Sequence, residues 1–423
     1  MAKNLHHHHQ HQSKNNSCTK FVVILSSACL LGLACIANLL WASSFSFSSA
    51  YLSIASNWVP QKPRIFVVPN AEEKPNIVAG KIGDGIEKRK KERVSERFLS
   101  ATFADLPAPD LPWEQMPSAP VPRLDGSAIQ IKNLFYVLSG YGTLDYVHSH
   151  VDVFNFTDNT WSGRFDTPKD MANSHLGVAS DGRYIYVVSG NGAACLLYQP
   201  PGMRLHPYAP ATQLWRGRLH VMGGSKENRH TPGLEHWSIA VKDGKALEKE
   251  WRTEIPIPRG GPHRACVVAN DRLFVIGGQE GDFMAKPGSP IFKCSRRHEV
   301  VYGDVYMLDA EMKKWEVLPP LPKPNSHIEC AWVIVNNSII ITGGTTEKHP
   351  VTKRMILVGE VFQFHLDSLT WSVIGKLPFR VKTTLAGFWD GYLYFTSGQR
   401  DRGPDNPQPR KVIAEMWRTK LNL

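Results

Sequence analysis

This sequence lacks the motifs that mark most familiar enzyme sites. No G-x-S-x-G, Walker A, H-E-x-x-H or G-x-G-x-x-G pattern occurs in a fitting context. The seven cysteines include no C-x-x-C pair and are too scattered to form a disulfide framework. We therefore expect no metal site and no cofactor. Cys266 and Cys330 fall in apolar, strand-like segments, where buried free thiols are the expectation.

Excess positive charge is also missing from most of the chain. Residues 1–97 hold 13 Lys and Arg against 6 Asp and Glu, whereas the remaining residues hold 36 against 32. A nearly balanced main domain gives no support for nucleic-acid binding. The basic run within residues 87–97 is better read as part of a solvated stem than as a nuclear signal.

The one long uncharged run lies near the N-terminus. Residues 21–41 read FVVILSSACLLGLACIANLLW, which is long enough for a membrane-spanning helix and lacks a good cleavage site. Three lysines precede this run, and the next basic residue is Lys62, so the positive-inside rule places residues 1–20 in the cytosol. The sequence thus predicts a type II signal anchor, a luminal stem over residues 42–111 and a luminal domain over 112–423. The short span favours a membrane of the early secretory pathway, and we expect the Golgi.

Three positions are candidates for modification. Cys18 lies beside the predicted span, which makes it a candidate for palmitoylation. Asn155 and Asn336 begin N-x-[ST] sequons, which are glycosylation acceptors in a luminal protein. Asn336 falls at a predicted hairpin turn, so we expect it to be modified more fully than Asn155.

A repeat covers the C-terminal three quarters of the chain. An apolar strand ends in Gly-Gly or Ser-Gly six times, at Gly140, Gly190, Gly224, Gly278, Gly344 and Gly398. The spacings are 50, 34, 54, 66 and 54 residues. Before each copy lies another apolar strand and a turn rich in Asn, Asp and Gly. These turns are Lys132-Asn133, Asp181-Gly182, Arg216-Gly217, Asn270-Asp271, Asn336-Asn337 and Asp390-Gly391.

A third strand ending in a tryptophan follows most copies. The tryptophans are Trp161, Trp251, Trp315 and Trp371. From about Trp113 onward these elements resemble the kelch repeat, whose period is about 50 residues. The whole arrangement is similar to plant Golgi kelch-repeat proteins with one N-terminal anchor. The resemblance implies an all-β propeller of about six blades, preceded by a transmembrane helix and a stem.

Two features of the ring follow from the repeat. We expect the last blade to take its third strand from residues 412–421 and its outermost strand from the segment around Trp113, which would close the ring. The second blade is truncated, because the 34 residues from Gly190 to Gly224 leave no place for its third strand and tryptophan.

Function is expected on the face formed by the loops after the glycine pairs. These loops are long and polar and cover residues 141–150, 225–233, 279–297, 345–353 and 399–410. Four polar residues occupy one equivalent position at the mouth of the channel, and His327 lies two residues further back on the same strand face. The candidate ligand-binding residues are Arg123, Asp125, His175, His263, Arg264, His327 and Glu329, with Thr383 at the equivalent position. Bonding between neighbouring turns is the structural alternative for this set.

The leading interpretation is a luminal binding module for an unidentified protein or glycan. The alternative is a sugar-modifying enzyme of the secretory pathway. Galactose oxidase is a related propeller, but its copper-holding His and Tyr with a Tyr–Cys link have no counterpart that we can place here. A sialic-acid epimerase also uses a kelch ring, and acid–base chemistry by His263, His327 or Glu329 would serve such a reaction.

Overall fold

The computed structural model describes residues 105–143, 146–167, 172–188, 208–226, 231–281, 299–349 and 354–423. The chain divides into two compact units, Met1–Gly80 and Lys81–Leu423, and every described residue belongs to the second. The predicted tail, the anchor, Cys18 and the stem before residue 105 lie outside the described residues. Within the described ranges no helix has the length and apolar character needed to cross a membrane.

The described part is all-β, as expected, and its main sheets are six blades around a ring. Strands are numbered β1–β32 in chain order. Blade 1 contains β2 (Ser127–Ile131), β3 (Leu134–Leu138), β6 (His150–Asn155) and β7 (Thr160–Asp166). Blade 2 contains only β8 (Gly177–Ser180) and β9 (Ile185–Val188) among the described residues. Blade 3 contains β10 (Ala211–Trp215), β11 (Arg218–Met222), β12 (His236–Lys242), β13 (Lys245–Ala246) and β14 (Arg252–Thr253).

The other three blades have four strands each. Blade 4 contains β15 (Ala265–Ala269), β16 (Arg272–Ile276), β19 (Val305–Asp309) and β20 (Lys314–Leu318). Blade 5 contains β21 (Trp332–Val335), β22 (Ser338–Thr342), β25 (Glu360–His365) and β26 (Thr370–Lys376). Blade 6 contains β28 (Leu385–Trp389), β29 (Tyr392–Thr396), β32 (Met416–Lys420) and β1 (Glu114–Met116).

The remaining strands form small sheets that follow the glycine pairs. They are β4 (Tyr141–Thr143) with β5 (Tyr146–Val147), β17 (Gln279–Glu280) with β18 (Val300–Val301), β23 (Thr345–Thr346) with β24 (Ile356–Leu357), and β27 (Val381–Lys382) with β30 (Gln399–Asp401) and β31 (Pro409–Val412). These strands extend four of the loops on which a binding face was predicted.

Tight turns set the register of the inner hairpins. Five of the six predicted turns join their strands by two residues, with pairs such as Trp215↔Arg218 and Trp389↔Tyr392 on either side. At least one residue of each turn has the positive φ that such hairpins need. The exception is Asp181-Gly182, which belongs to a four-residue connection because β8 and β9 pair at Ser180↔Ile185.

The glycine after the second strand is required by close packing. A Cβ on Gly344, whose φ is +119°, would lie 2.0 Å from Oδ1 of Asn325 in the neighbouring turn. No side chain fits in that space, which explains why small residues recur at this point of the repeat.

The N-terminal segment closes the ring, as the sequence predicts. β1 pairs antiparallel with β32, Gln115 lying opposite Trp417. Residues just before β1 also contact blade 5, since the backbone N–H of Leu106 donates to Glu360 and Asp110 bridges to Lys376. Blade 6 is thus built from both ends of the domain, and its integrity depends on residues more than 300 positions apart.

The tryptophans lie on a different strand from the one predicted. Trp161, Trp315 and Trp371 belong to the fourth strands β7, β20 and β26, opposite Phe154, Leu308 and Phe364 of the third strands. The prediction that the third strand ends in the tryptophan is therefore wrong, because each of these tryptophans lies on the next strand, after the turn. The short turn between the two strands hides this boundary in the sequence.

The hydrophobic core lies between adjacent blades and is thin around blade 2. Among the described residues, 17 buried apolar residues pack between blades 4 and 5, 12 between blades 5 and 6, 9 between blades 6 and 1, and 8 between blades 3 and 4. Only 3 pack between blades 1 and 2, and 3 between blades 2 and 3. Within the described residues the buried apolar surface is thus smallest at blade 2, while the predicted truncation falls in residues 189–207, which lie outside the described part of the chain.

Candidate functional site

Six equivalent residues line the inner end of the ring. Each has a positive φ between 48° and 63°, which is uncommon for non-glycine residues and requires support from its surroundings. The six are Asp125, His175, Ala209, His263, His327 and Thr383. Five of them stand two residues before the first strand of their blade. We call this set the channel ring.

Backbone hydrogen bonds link members of the channel ring from blade to blade. The N–H of His175 donates to the carbonyl of Asp125 at 3.1 Å, that of His327 to His263 at 3.1 Å, and that of Thr383 to His327 at 3.1 Å. The N–H of Asp125 in turn contacts Oγ1 of Thr383 at 3.4 Å. These bonds provide the support that the strained φ values require.

The structure corrects the predicted position of His327. It occupies the same place as the other ring members and is not two residues behind them. Blade 5 accommodates the extra residues in a turn, closed by the N–H of Ala331 donating to Ile328, between His327 and β21. Counting residues back from the glycine pair cannot detect such an inserted turn.

His175 stands at the centre of one polar cluster in the ring. Its Nε2 lies 2.9 Å from the hydroxyl of Tyr208 and 3.3 Å from Oδ2 of Asp125, and its Nδ1 lies 2.8 Å from Oγ of Ser174. Burial opposes ionisation of the Asp125 carboxyl, but His175 and Lys382 outweigh that effect and hold its pKa below the usual range. Asp125 is therefore ionised, and His175 and Lys382 compensate its charge within the protein.

His263, His327 and Glu329 form a second cluster on the other side. Nδ1 of His263 contacts Oε1 of Glu329. The rings of His263 and His327 are stacked, with centroids 4.0 Å apart and planes 10° from parallel. Nδ1 of His327 lies 3.0 Å from Oγ1 of Thr345. The ring side chains are thus occupied by one another and by adjoining turns.

The pocket at the channel ring is small. It is lined by residues of blades 1, 2, 5 and 6, including Asp125, His175, Glu329 and Thr383. It has room for about one water molecule, which is too little for a sugar ring. Among the described residues no group of His, Cys, Asp and Glu is arranged to hold a metal ion.

The two candidate arginines do not join the channel ring. Arg123 is fully buried and turns outward, donating to the carbonyl of Ser139 at 2.6 Å and to Oδ2 of Asp152 at 2.7 Å. Arg264 is also buried, and its guanidinium lies 5.0 Å from the ring of Tyr302 and 5.9 Å from that of Tyr306. Burial lowers the pKa of Arg264 to about 10. Arg123 thus links its turn to β6, whereas Arg264 packs on the two tyrosines and donates from Nη2 to the carbonyl of Gly260 at 3.2 Å.

Two residues near the channel were missed from the sequence. Ala209 is the ring member of blade 3, and Tyr208 beside it supplies the hydroxyl that reaches His175. Ala209 precedes Gly224 by the same 15 residues that separate His175 from Gly190. The spacing alone could therefore have placed Ala209 in the channel ring, but a search restricted to polar residues passes over an alanine.

The two thiols in the described part of the chain are free, and Cys330 lies in the turn before β21 and not, as the sequence had suggested, in a strand. Cys266 is buried, as predicted, whereas the residue Cys330 is half-buried. Burial raises the pKa of Cys330 to about 12 and that of Cys266 further, so neither thiol is a reactive nucleophile at neutral pH.

Comparison with known proteins identifies the repeat. No protein-family model matches this chain. The solved structure of YjhT aligns with a TM-score of 0.54 at 16% identity, over 71% of this chain and 95% of that one, which shows the fold. Kelch repeat and BTB domain-containing protein 8 of Danio rerio is 28% identical over 37% of this chain and 22% of its own length.

Two more relatives extend the comparison. Kelch-like protein 25 of Xenopus tropicalis is 22% identical over 61% of this chain and 34% of its own. A kelch repeat-containing protein of Arabidopsis thaliana is 64% identical over 398 residues, covering 89% of this chain and 93% of the relative. With six repeats folded as blades and a relative of this identity over nearly its full length, the chain belongs to the kelch-repeat protein family.

Proposed function

We propose that this chain is a binding module that recognises another protein through the loop face of its propeller. The observation that carries the proposal is the contrast between the two parts of that face. The channel ring is filled by its own hydrogen bonds, whereas the loops around it are extended by the small sheets β4–β5, β17–β18, β23–β24 and β27–β30–β31. The described strands of these loops stand on a closed ring and offer a broad surface, which suits a protein partner better than a small molecule.

The polar residues of the channel have a place in this proposal. Asp125, His175, His263, His327 and Glu329 would form a floor beneath a partner that covers the face. A side chain of the partner that enters the mouth would meet their hydrogen-bonding groups. The void is too small for a glycan to bind there, so on this face a glycan ligand would have to sit among the loops.

Charge reversal on the face tests the proposal. Arg410 and Lys411 are exposed on β31, while Lys242 and Lys245 are exposed at the opposite, turn side of blade 3. The variants R410E/K411E and K242E/K245E thus change the same charge on different sides. Proximity labelling with the full chain should lose its specific partners in the first variant and keep them in the second. Equal labelling by both would contradict binding through the loop face.

We further propose that residues 21–41 anchor the protein in the Golgi membrane and that the propeller lies in the lumen. The support is the uncharged run and the lysines that precede it. Protease added to sealed microsomes should leave the propeller intact until detergent opens the vesicles. Digestion without detergent would overturn this topology.

Glycosylation provides an independent readout of the same topology. Asn336 is exposed at the β21–β22 turn, and its Nδ2 donates only to the carbonyl of Leu423 in the described part of the chain. Asn155 is half-buried, and its Oδ1 accepts from Asn133 and from the N–H of Thr157. We expect the N336Q variant to lose more glycan mass than N155Q. A glycosidase that shifts neither the wild type nor the variants would argue against the lumen.

A further inference from the structure

A pocket of about 380 Å³ opens between blades 3 and 4 on the turn side of the ring, opposite the loop face. Three pieces of the chain enclose it: the β10–β11 hairpin, β14 with the two residues that follow it, and the β19–β20 turn. We call it the blade 3–4 pocket. Its volume lies in the range of sites that hold one small organic molecule, about 300–1,000 Å³. Among the described residues, none of those that line it belongs to the channel ring or to the small sheets of the loop face.

Glu254 is a firmly held acceptor in the wall of this pocket. Its Oε1 accepts from Oγ of Ser238 at 2.6 Å, and Nε of Arg252 lies 3.2 Å from the same oxygen. Its Oε2 makes only a 3.4 Å bond with Arg252 within the described part of the chain. A carboxylate oxygen has two lone pairs, so Oε2 can accept a further hydrogen bond from a ligand.

Two arginines of the β10–β11 hairpin are held in the pocket wall just as firmly. Nε of Arg218 donates to Oγ of Ser238 at 2.8 Å, and its Nη1 and Nη2 donate to the two oxygens of Glu248 at 2.9 and 2.8 Å. Nε and Nη2 of Arg216 donate to the two oxygens of Asp271 at 3.0 and 2.6 Å. Because these guanidinium groups are already oriented, a ligand that binds to them has little side-chain entropy to remove.

The charges around the blade 3–4 pocket cancel. Its cations are Arg216, Arg218, Arg252 and Lys313. The carboxylates that line it or pair with these arginines are Glu254, Asp309, Asp271 and Glu248. His220 on the inner wall is uncharged at neutral pH, because burial lowers its pKa to about 3. A charged ligand therefore gains little from the pocket as a whole, whereas a neutral ligand that both donates and accepts hydrogen bonds can use both kinds of group.

Apolar side chains complete the lining of the pocket. They are Trp215, Ile255, Leu308 and Ala310. Nε1 of Trp215 donates to Oδ1 of Asp271 at 2.9 Å, which fixes the indole. The carbonyl of Ile255 accepts from Nε1 of Trp315 at 3.2 Å, which fixes the backbone on the opposite side. The pocket thus combines a rigid apolar wall with oriented donors and an oriented acceptor.

We propose that the blade 3–4 pocket binds a neutral hexose, either free or at the end of a glycan. A hexose ring has apolar C–H faces and a rim of hydroxyl groups that each donate and accept, which matches this lining. One hydroxyl donates to Oε2 of Glu254, a neighbouring hydroxyl accepts from Arg218 or Arg252, and a C–H face packs on Ile255. The site lies on the turn side and does not depend on the loop face proposed above.

Titration of the full-length protein with simple sugars, followed by saturation-transfer difference NMR, tests the proposal. The probes are glucose, galactose, mannose and their methyl glycosides, and at least one should bind saturably with a Kd of about 1–10 mM. Binding of a methyl glycoside would assign a glycan end, and binding of the free sugar alone would assign a free hexose. E254Q keeps the side-chain size but removes the charged acceptor, so we expect about tenfold weaker binding. A310W fills the pocket and should abolish binding.

Two controls make the result specific to this pocket. E316Q carries the same chemical change as E254Q on β20, outside the pocket lining, and it should bind the sugar as the wild type does. N-acetylneuraminic acid carries a carboxylate and should bind more weakly than the best neutral probe. The proposal is overturned if no neutral probe binds the folded wild type at about 50 mM, if the acidic sugar binds more tightly, or if E254Q binds like the wild type. Loss of loop-face partners in R410E/K411E would leave sugar binding unchanged, so the two proposals fail separately.

Discussion

Replacing Trp371 or Trp251, two tryptophans of the repeat, by phenylalanine should have unequal consequences for stability. Trp371→Phe keeps an aromatic ring but removes the bond to the carbonyl of Pro319, leaving that acceptor without its partner. The lost bond costs about 0.5–1.5 kcal/mol, in addition to the smaller ring. Trp251→Phe makes the same change in ring size but removes a donor that has no acceptor. An unsatisfied buried group costs about 1–3 kcal/mol, so its removal offsets the loss of packing.

The two variants should therefore differ in unfolding free energy by about 2 kcal/mol or more, W371F being the less stable. Urea denaturation followed by far-UV circular dichroism measures this difference without relying on tryptophan emission. Both side chains are half-buried, which makes their packing losses comparable. If W251F proves as destabilising as W371F, Trp251 has an acceptor after all, and the reasoning from its unsatisfied Nε1 is refuted.

Three further predictions concern groups buried elsewhere in the ring. Burial lowers the pKa of His220 to about 3 and that of His236 to about 4, below the value of about 6.5 in an unfolded chain. The two histidines therefore leave the unfolding free energy unaffected above about pH 6.5. As the pH drops toward 4, each histidine should lower that free energy by about 1.4 kcal/mol per pH unit. The slope should be smaller in H220Q/H236Q, and equal slopes in the variant and the wild type would contradict the prediction. Lys323→Met leaves Glu360 without its buried cationic partner and should lower the unfolding free energy, measured by urea denaturation, by about 3–5 kcal/mol. The double variant K323M/E360Q should regain most of this loss. A loss below about 1 kcal/mol in K323M would show that water reaches the pair. A chain that starts at residue 118 lacks β1 and should melt well below one that starts at 105 in a thermal scan, whereas equal melting temperatures would mean that β1 does not close the ring.

Much of the fold was predictable because each blade repeats the same local chemistry. Turn residues able to take positive φ, apolar second strands and paired small residues recur six times, and together they fix the inner hairpins. Closure by the segment around Trp113 was also predictable, since the last blade had one strand too few. The outer strands were harder, because the turn before Trp371 or Trp161 carries no glycine and is only four residues long.

The candidate site was predicted in outline, but its side-chain directions were not. Sequence spacing places Asp125 and His175 in the same ring, and they do lie together. It cannot show that Arg123 turns outward to Asp152, because the partner lies 29 residues away on another strand of the sheet. The sequence also could not show that Nε1 of Trp251 has no hydrogen-bond acceptor, because this depends on how the surrounding backbone folds.

Hydrogen exchange along β9 is the most direct measurement of the central claim, that the six repeats form blades and that the described part of blade 2 is a two-stranded sheet. β9 and β22 hold the same place in their blades, but β22 is bonded on both sides, to β21 and β25. The account predicts that the amides of residues 185–188 exchange much faster than those of residues 338–342 in the native state, because among the described strands β9 pairs with β8 alone. Protection of β9 equal to that of β22 in the free protein would contradict the account.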